Sequence, residues 1–370
     1  MLPYGHQSID EDDISAVVEV LRSDWITQGS KVDEFESELA KYCGVKYAVA
    51  MSSGTAGLHA ACSVVGLKGF EAITTPLTFA ATSNAVVYCG GKPIFADIKD
   101  DTLNIDTREI KKNITMMTKA IIPVDFAGQP ADMDEIMKIA HDNDCVVIED
   151  ACHALGAEYR GRKVGGIADM TVFSFHPVKH ITTGEGGMVV TNNKKYYKRL
   201  KEFRSHGIVR GTRIGEPWYN PIVELGYNYR ITDFQCALGI SQLNKLDKFI
   251  LRRREIAERY NKAFANIDNI IILVEKEHNR SAYHLYVIQF KIGRDEIFKR
   301  LRANNIGVQV HYLPVHLHPF YQKNFGYKKG DCLIAERYYQ QAITLPLFPS
   351  MREEDVEDVI KSIAKVVGYY

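Results

Sequence analysis

Lys179 sits in Phe175-His176-Pro177-Val178-Lys179-His180-Ile181-Thr182-Thr183-Gly184-Glu185-Gly186-Gly187, a polar, glycine-bearing stretch between two apolar runs, Met170 to Phe175 and Gly187 to Thr191. Those β-branched and aromatic runs read as strands, which puts the lysine in a connecting turn and not on a helix face. A turn lysine ordinarily faces water, because lysine is almost never buried without a partner. One that is partly desolvated beside other positive charge keeps a free amine near neutrality, and such an amine forms a Schiff base with an aldehyde.

Other residues fit that chemistry. Ser52-Ser53-Gly54-Thr55-Ala56-Gly57 joins a strand to a helix, so the amides around Gly54 and Thr55 and the positive helix end can face an anion such as phosphate. Ser53 or Thr55 would equally serve as an ordinary N-cap. The stretch lacks the Gly-Lys-Ser/Thr ending of a P-loop, and the dinucleotide GxGxxG is missing too. Asp150 follows the apolar run Val146-Val147-Ile148-Glu149; a carboxylate at that depth stays charged only when paired, and a cationic ring nitrogen would pair it. His153 could turn toward the same ligand or be a satisfied core histidine. Phe79 begins a helix and could offer a flat face to a ring, or be ordinary core. With Ser174 helping to hold the phosphate, the combination describes a pyridoxal 5'-phosphate site.

The frame that positions these groups is legible as alternation. From about Val32 to Gly187, short apolar runs (Tyr47–Met51, Ala72–Thr75, Pro93–Asp97, Ala120–Val124, Val146–Asp150) alternate with helical segments (Thr55–Val65, Phe79–Tyr88, Met133–His141). This is a βα signature, and the nearly apolar strands predict a mainly parallel sheet covered by helices on both faces. Ligands on such sheets bind beyond the strand carboxyl ends, where Ser53, Gly54, Asp150 and Ser174 fall. After Gly187 the pattern gives a helix near Lys194–Ser205, a loop from Gly207 to Pro221 and a long helix from Thr232 towards Ala265. A run Tyr283–Phe290, a helix Arg294–Asn304, a strand Gly307–His311 and a helix near Glu353–Val367 then predict a smaller α/β unit. The expected division is a large domain over 1–245 and a small C-terminal domain over 246–370.

With 370 residues, 46% apolar, the chain has enough material for two domains, and its 46 basic residues match its 46 acidic ones. That balance argues against bulk nucleic-acid binding, and the basic residues between Lys245 and Arg254 are interspersed with acids. No apolar run approaches the ~20 residues of a membrane helix and no leader is evident, so the expectation is a cytoplasmic protein with no membrane partner. Seven scattered cysteines without a CxxC pair predict neither disulfides nor a zinc knuckle. His311, His316 and His318 have a spacing reminiscent of metal ligands, but no acid or cysteine cluster accompanies them, and no metal is expected.

Six stretches together resemble the DegT/DnrJ/StrS sugar aminotransferases of fold type I over nearly the whole chain: Thr27-Gln28-Gly29, Ser53-Gly54-Thr55-Ala56, Thr75 to Thr82, Glu149 to Gly156, the lysine segment, and Gly226-Tyr227-Asn228-Tyr229-Arg230. The resemblance implies a large domain with a mainly parallel seven-stranded sheet between helices, plus a smaller α/β domain. It implies Lys179 as the Schiff-base lysine, Asp150 at the pyridine nitrogen, His153 near the ring hydroxyl, Phe79 stacked on the ring, and Gly54, Thr55 and Ser174 at the phosphate. Phe79 departs from the tryptophan of some relatives, with a smaller stacking face.

The resemblance also implies a homodimer in which Asn228 reaches the other subunit's cofactor, with L-glutamate and a nucleotide sugar as substrates. Tyr4, Asp24, Trp25, Ile26 and Thr27, together with His311, Tyr312, Leu313 and Pro314, are the implied sugar-nucleotide contacts. Within the family, the lysine segment is most similar to the enzymes that form UDP-4-amino-4,6-dideoxy-N-acetyl-β-L-altrosamine in pseudaminic acid biosynthesis. A sister enzyme acting on a GDP- or dTDP-linked 4-keto sugar would share the cofactor residues. A sugar 3-dehydratase would carry histidine at position 179, and a regulatory protein on the same fold is the reading without turnover.

Overall fold

The structure is a computed structural model and describes residues 1–209, 216 and 218–368. Part of the loop expected from Gly207 to Pro221 therefore lies outside the described residues. The first five strands are β1 (Tyr47–Met51), β2 (Glu71–Thr74), β3 (Lys92–Phe95), β4 (Thr118–Ile122) and β5 (Val146–Asp150). A short pair, β6 (Glu158–Tyr159) and β7 (Arg162–Lys163), precedes β8 (Met170–Ser174) and β9 (Gly187–Thr191). Seven of these form one sheet in the order β1-β9-β8-β5-β4-β2-β3. All of its neighbours are parallel except those of β9, which runs antiparallel to both β1 and β8.

Burial on both faces explains the apolar strands. Alternate residues of β4 enter different cores: Ala120 and Ile122 pack with Leu58, Ala61 and Val64 of the helix Gly54–Val65, whereas Ile121 packs with Ile136 and Ile139 of the helix Met133–Asp142. The first of these helices lies unusually close to the sheet, because a Cβ on Gly57 would stand 2.9 Å from Val172 Cγ1. Gly66 ends it at φ +79°, a left-handed cap that glycine adopts without steric cost.

The C-terminal part builds a second core on β10 (Ile270–Ile272), β12 (Tyr286–Phe290) and β13 (Ala342–Leu345), an antiparallel sheet in the order β10-β12-β13, while β11 (Asn279–Arg280) pairs with β6. Ile256, Tyr260 and Phe264 from the helix Leu246–Phe264, Ile297 and Leu301 from Arg294–Ala303, and Val356, Val359 and Ile363 from Glu353–Val367 fill this core. No helix among the described residues is long and apolar enough to cross a membrane.

Three expectations need correction. The long helix from Thr232 is two helices, Asp233–Leu243 and Leu246–Phe264, and the break falls where Lys245 turns to the buried carboxylate of Asp13, 3.0 Å away. The segment Gly307–His311 is not a strand. Gly307 N donates to Leu2 O at 2.7 Å, so the N-terminal residues take up backbone groups there, and only Gln309 bridges to Thr344 of β13. Phe79 does not open a helix; it lies in the loop ahead of Ala81–Tyr88.

Candidate active site

A cavity of about 600 Å³ opens beyond the carboxyl ends of β1, β2, β5 and β8 and is closed from the C-terminal side by His284 and Gln309 to Tyr312. One wall of it is the start of the helix Gly54–Val65. Ser53 Oγ accepts from Ala56 N at 3.1 Å, the plain N-cap reading of Ser53, and Gly54 and Thr55 of the same turn line the cavity. A Cβ on Gly54 would come within 2.8 Å of Ser174 Cβ and 3.2 Å of Cys152 Sγ, so the backbone here closes directly on the ends of β5 and β8.

Asp150, 4% exposed, ends β5 and is held by two donors: Thr82 Oγ1 to Oδ2 at 2.6 Å and Cys152 N to Oδ1 at 3.2 Å. Thr78 Oγ1 contacts Thr82 Oγ1 at 2.7 Å, which fixes the threonine that fixes the aspartate. Behind it, burial pushes the carboxyls of Asp125 and Glu149 upward, and the charge of Glu149 adds to the rise at Asp125. That pair favours sharing a proton, and Asp150 lines the cavity in front of it.

Lys179 follows β8 in a turn, its amide bonded to His176 O at 2.9 Å. Its side chain is half-buried in the cavity wall, and this partial desolvation pushes its pKa below that of an ordinary lysine, opposed by Cys152 and Asp150. Nζ lies 3.5 Å from His284 Nε2. Burial pushes His153, His180 and His284 well below the usual histidine range, with the positive charge of Lys179 adding to the effect at each. The imidazole beside the lysine, that of His284, is therefore neutral.

His153 Nε2 meets Tyr312 Oη at 3.3 Å, while its buried Nδ1 has no partner among the described residues. Phe79, 62% exposed, presents its ring at the cavity with the Tyr312 ring 6.1 Å away, and Tyr4 lies 5.1 Å from the His311 ring. His311 and His316 are engaged separately, with Thr344 Oγ1 at 2.8 Å and Glu336 Oε1 at 2.9 Å.

Gly54, Thr55, Phe79, Asp150, His153, Ser174, Lys179, Tyr4, His311 and Tyr312 thus converge on one cavity. Leu313 and Pro314 do not line it, nor do Asp24, Trp25, Ile26 and Thr27. Trp25 and Ile26 are exposed, and this stretch is tied by its backbone to Thr232 and Asp233. Asn228 is likewise exposed, in a stretch that bridges to Ser205, outside the cavity of its own chain. Sequence reasoning gave no role to Thr82, Cys152, His284 and Gln309. Thr82 lay within a quoted stretch, but nothing in its spacing points to Asp150.

The profile of the DegT/DnrJ/EryC1/StrS aminotransferase family matches residues 7–364. The chain belongs to this family. It is 48% identical to an uncharacterized protein of Methanocaldococcus jannaschii over 99% of this chain and 98% of the other. It is 43% identical to a UDP-4-amino-4,6-dideoxy-N-acetyl-β-L-altrosamine transaminase of Campylobacter jejuni, covering 100% of both. Among solved structures it resembles Helicobacter pylori PseC, an aminotransferase involved in the biosynthesis of pseudoaminic acid, with TM-score 0.94, 34% identity and 100% of both chains covered.

Aminotransferases of this family depend on pyridoxal phosphate. The residues present fit that group: a cradle that a Cβ at Gly54 would fill, a buried carboxylate, an exposed ring at Phe79, the partnerless Nδ1 of His153 and a desolvated lysine.

Proposed function

We propose that this aminotransferase moves the amino group of L-glutamate to the 4-keto carbon of a UDP-2-acetamido-2,6-dideoxy-hexos-4-ulose, giving UDP-4-amino-4,6-dideoxy-N-acetyl-β-L-altrosamine and 2-oxoglutarate. The carrying observation is Lys179, a desolvated amine in the same cavity as the fixed carboxylate of Asp150. Full-length similarity to the Campylobacter jejuni transaminase and to PseC supports the substrate.

Pyridoxal phosphate, when bound, supplies an electron sink for the carbon whose proton is moved. Gly54, Thr55 and Ser174 would hold its phosphate, Phe79 one face of its ring, Asp150 the ring nitrogen and His153 the neighbourhood of the ring hydroxyl. Lys179 would hold it through Nζ, and the same amine, when free, would serve as the base. Nζ takes the proton from the glutamate α-carbon in one half-reaction and delivers a proton to C4 of the sugar in the other. Neutral histidines around Nζ do not compete as counter-ions, which keeps the amine able to accept. Tyr4, His311 and Tyr312 would meet the sugar nucleotide from the far wall, with Leu313, Pro314 and the stretch Asp24 to Thr27 as outer contacts.

The active unit is a homodimer in this reading. Trp218, Ile222, Val223 and Leu225, all more than half exposed, cluster along the chain just before Asn228, an apolar surface of the kind a second copy covers. Asn228 of the partner subunit would complete the phosphate cradle.

The deciding experiment supplies glutamate and a panel of UDP-, GDP- and dTDP-linked 4-keto sugars, with product mass and stereochemistry as readout. Amination of the UDP-linked sugar at C4 is expected; failure with every UDP sugar and turnover of a GDP or dTDP sugar would refute the substrate. Lys179→Ala is expected to abolish turnover together with the visible absorbance of the bound cofactor.

A further inference from the structure

His284 stands 105 positions from Lys179 in the chain, yet its Nε2 lies 3.5 Å from the lysine Nζ. The imidazole is 4% exposed, and its Nδ1 has no partner among the described residues. Its place is set from behind. Arg253, fully buried in the helix Leu246–Phe264, donates through Nη1 to the carbonyls of His284 at 3.2 Å, Tyr283 at 3.3 Å and Leu347 at 2.9 Å. The His284 ring also packs 4.4 Å from the ring of His153 and 5.6 Å from that of His180. Backbone anchorage and ring packing therefore fix the imidazole independently of the lysine.

The chemistry of this neighbour matters. A carboxylate in its place would stabilise the ammonium and hold Lys179 charged; a neutral imidazole gives the amine a hydrogen-bond partner without a counter-charge. The other titratable groups whose charges couple to Lys179 are Asp150 at the end of β5, Cys152 just beyond it, and His153, His180 and His311. Arg253 acts on His284 from the opposite side and, like Lys179, His153 and His180, opposes its protonation.

We propose that His284 is a positioning residue for Lys179, a neutral partner that holds the free amine at one place in the cavity while leaving it basic. The proposal rests on the reading that Lys179 moves the protons of aminotransfer. Whenever its amine is free, the flexible lysine side chain would need a fixed resting point from which to reach the reacting carbon. His284 supplies it.

The test separates contact from turnover. In cofactor-free protein, the rate at which trinitrobenzenesulfonate modifies Lys179, followed by peptide mass spectrometry across pH, gives the titration midpoint of the amine. His284→Glu is expected to raise that midpoint by about one unit or more, slowing modification roughly tenfold at pH values below it. His284→Gln keeps a neutral partner and is expected to leave it close to wild type. In the holoenzyme, His284→Phe is expected to lower kcat by roughly ten- to a hundredfold with KM for glutamate within about twofold, and His284→Gln to recover most of the loss.

A His284→Glu midpoint equal to wild type, or a His284→Phe enzyme with wild-type kcat, overturns the proposal. Should His284→Phe not fold, the modification midpoints of the Glu and Gln variants decide it. Turnover in Lys179→Ala would instead sink the functional reading itself, so the two failures are distinguishable.

Discussion

At the scale of single residues, the site depends on side chains that fix other side chains. Asp150 is useful to a cationic ring nitrogen only if its carboxylate keeps one orientation, and the 2.6 Å bond from Thr82 Oγ1 provides it. Thr82→Val keeps the shape and removes the donor, so kcat is expected to fall about tenfold, the size of one hydrogen bond to a charged group, while Thr82→Ser retains activity. Steady-state kinetics on the three proteins check this; a fully active valine variant would contradict it. Asp150 and Lys179 could be singled out from the chain because each ends or follows an apolar run, where a charged group needs a reason. Thr82 and His284 could not, because their roles consist of a contact made only after folding, across 68 and 105 positions.

At the scale of elements, the start of the helix Gly54–Val65 carries the tightest constraint. The 2.8 Å approach of a Cβ at position 54 to Ser174 Cβ leaves no room for alanine without moving the cradle. Gly54→Ala is therefore expected to weaken cofactor binding and to destabilise the fold by about 1–3 kcal/mol, the usual range for overpacking, as read by cofactor titration and thermal melting. Unchanged cofactor affinity would argue that the anion sits elsewhere.

Strands β1, β5 and β9 follow their sequence signals to the residue, since burial of both sheet faces demands continuous apolar runs. The expected strand at Gly307–His311 failed for an instructive reason: Gly307 bonds Leu2 while Gln309 alone pairs with Thr344 of β13, and local pattern carries no information about either distant partner.

At the scale of the molecule, one prediction concerns a site shared between subunits and another concerns buried charge. If Asn228 of the partner subunit completes each cradle, mixing Lys179→Ala with Asn228→Ala chains restores one intact site in every mixed dimer. Random reassociation then gives roughly a quarter of wild-type activity from two inactive parents. No recovery, with mixed dimers shown by mass, would remove Asn228 from the partner's site.

The second concerns acid stability of the cofactor-free chain. His153, His180 and His284 are pushed well below their unfolded values by burial, so below pH ~6.5 the unfolded chain takes up protons the folded chain does not. Each histidine then costs up to ~1.4 kcal/mol of stability per pH unit. Asp125 and Glu149, raised in the fold, act oppositely, but burial lowers His59 and His311 as well, so the histidines outnumber the two carboxyls. The melting temperature is expected to fall between about pH 6.5 and 5; a rise would contradict the neutral assignment of the cluster.

What the sequence determined by itself was the βα frame, the strand ends where chemistry collects, and the candidate lysine, aspartate and glycine turn. These are carried by local periodicity and by the cost of burying charge. The tertiary structure alone decided which side chains hold those groups in place: Thr82 on Asp150, His284 on Lys179 and Arg253 behind His284. It also left Asn228 and the stretch Asp24 to Thr27 outside the cavity of their own chain. The reason is physical: a periodic pattern specifies which face of an element is buried, whereas the partner of a polar atom is set by where distant elements come to rest.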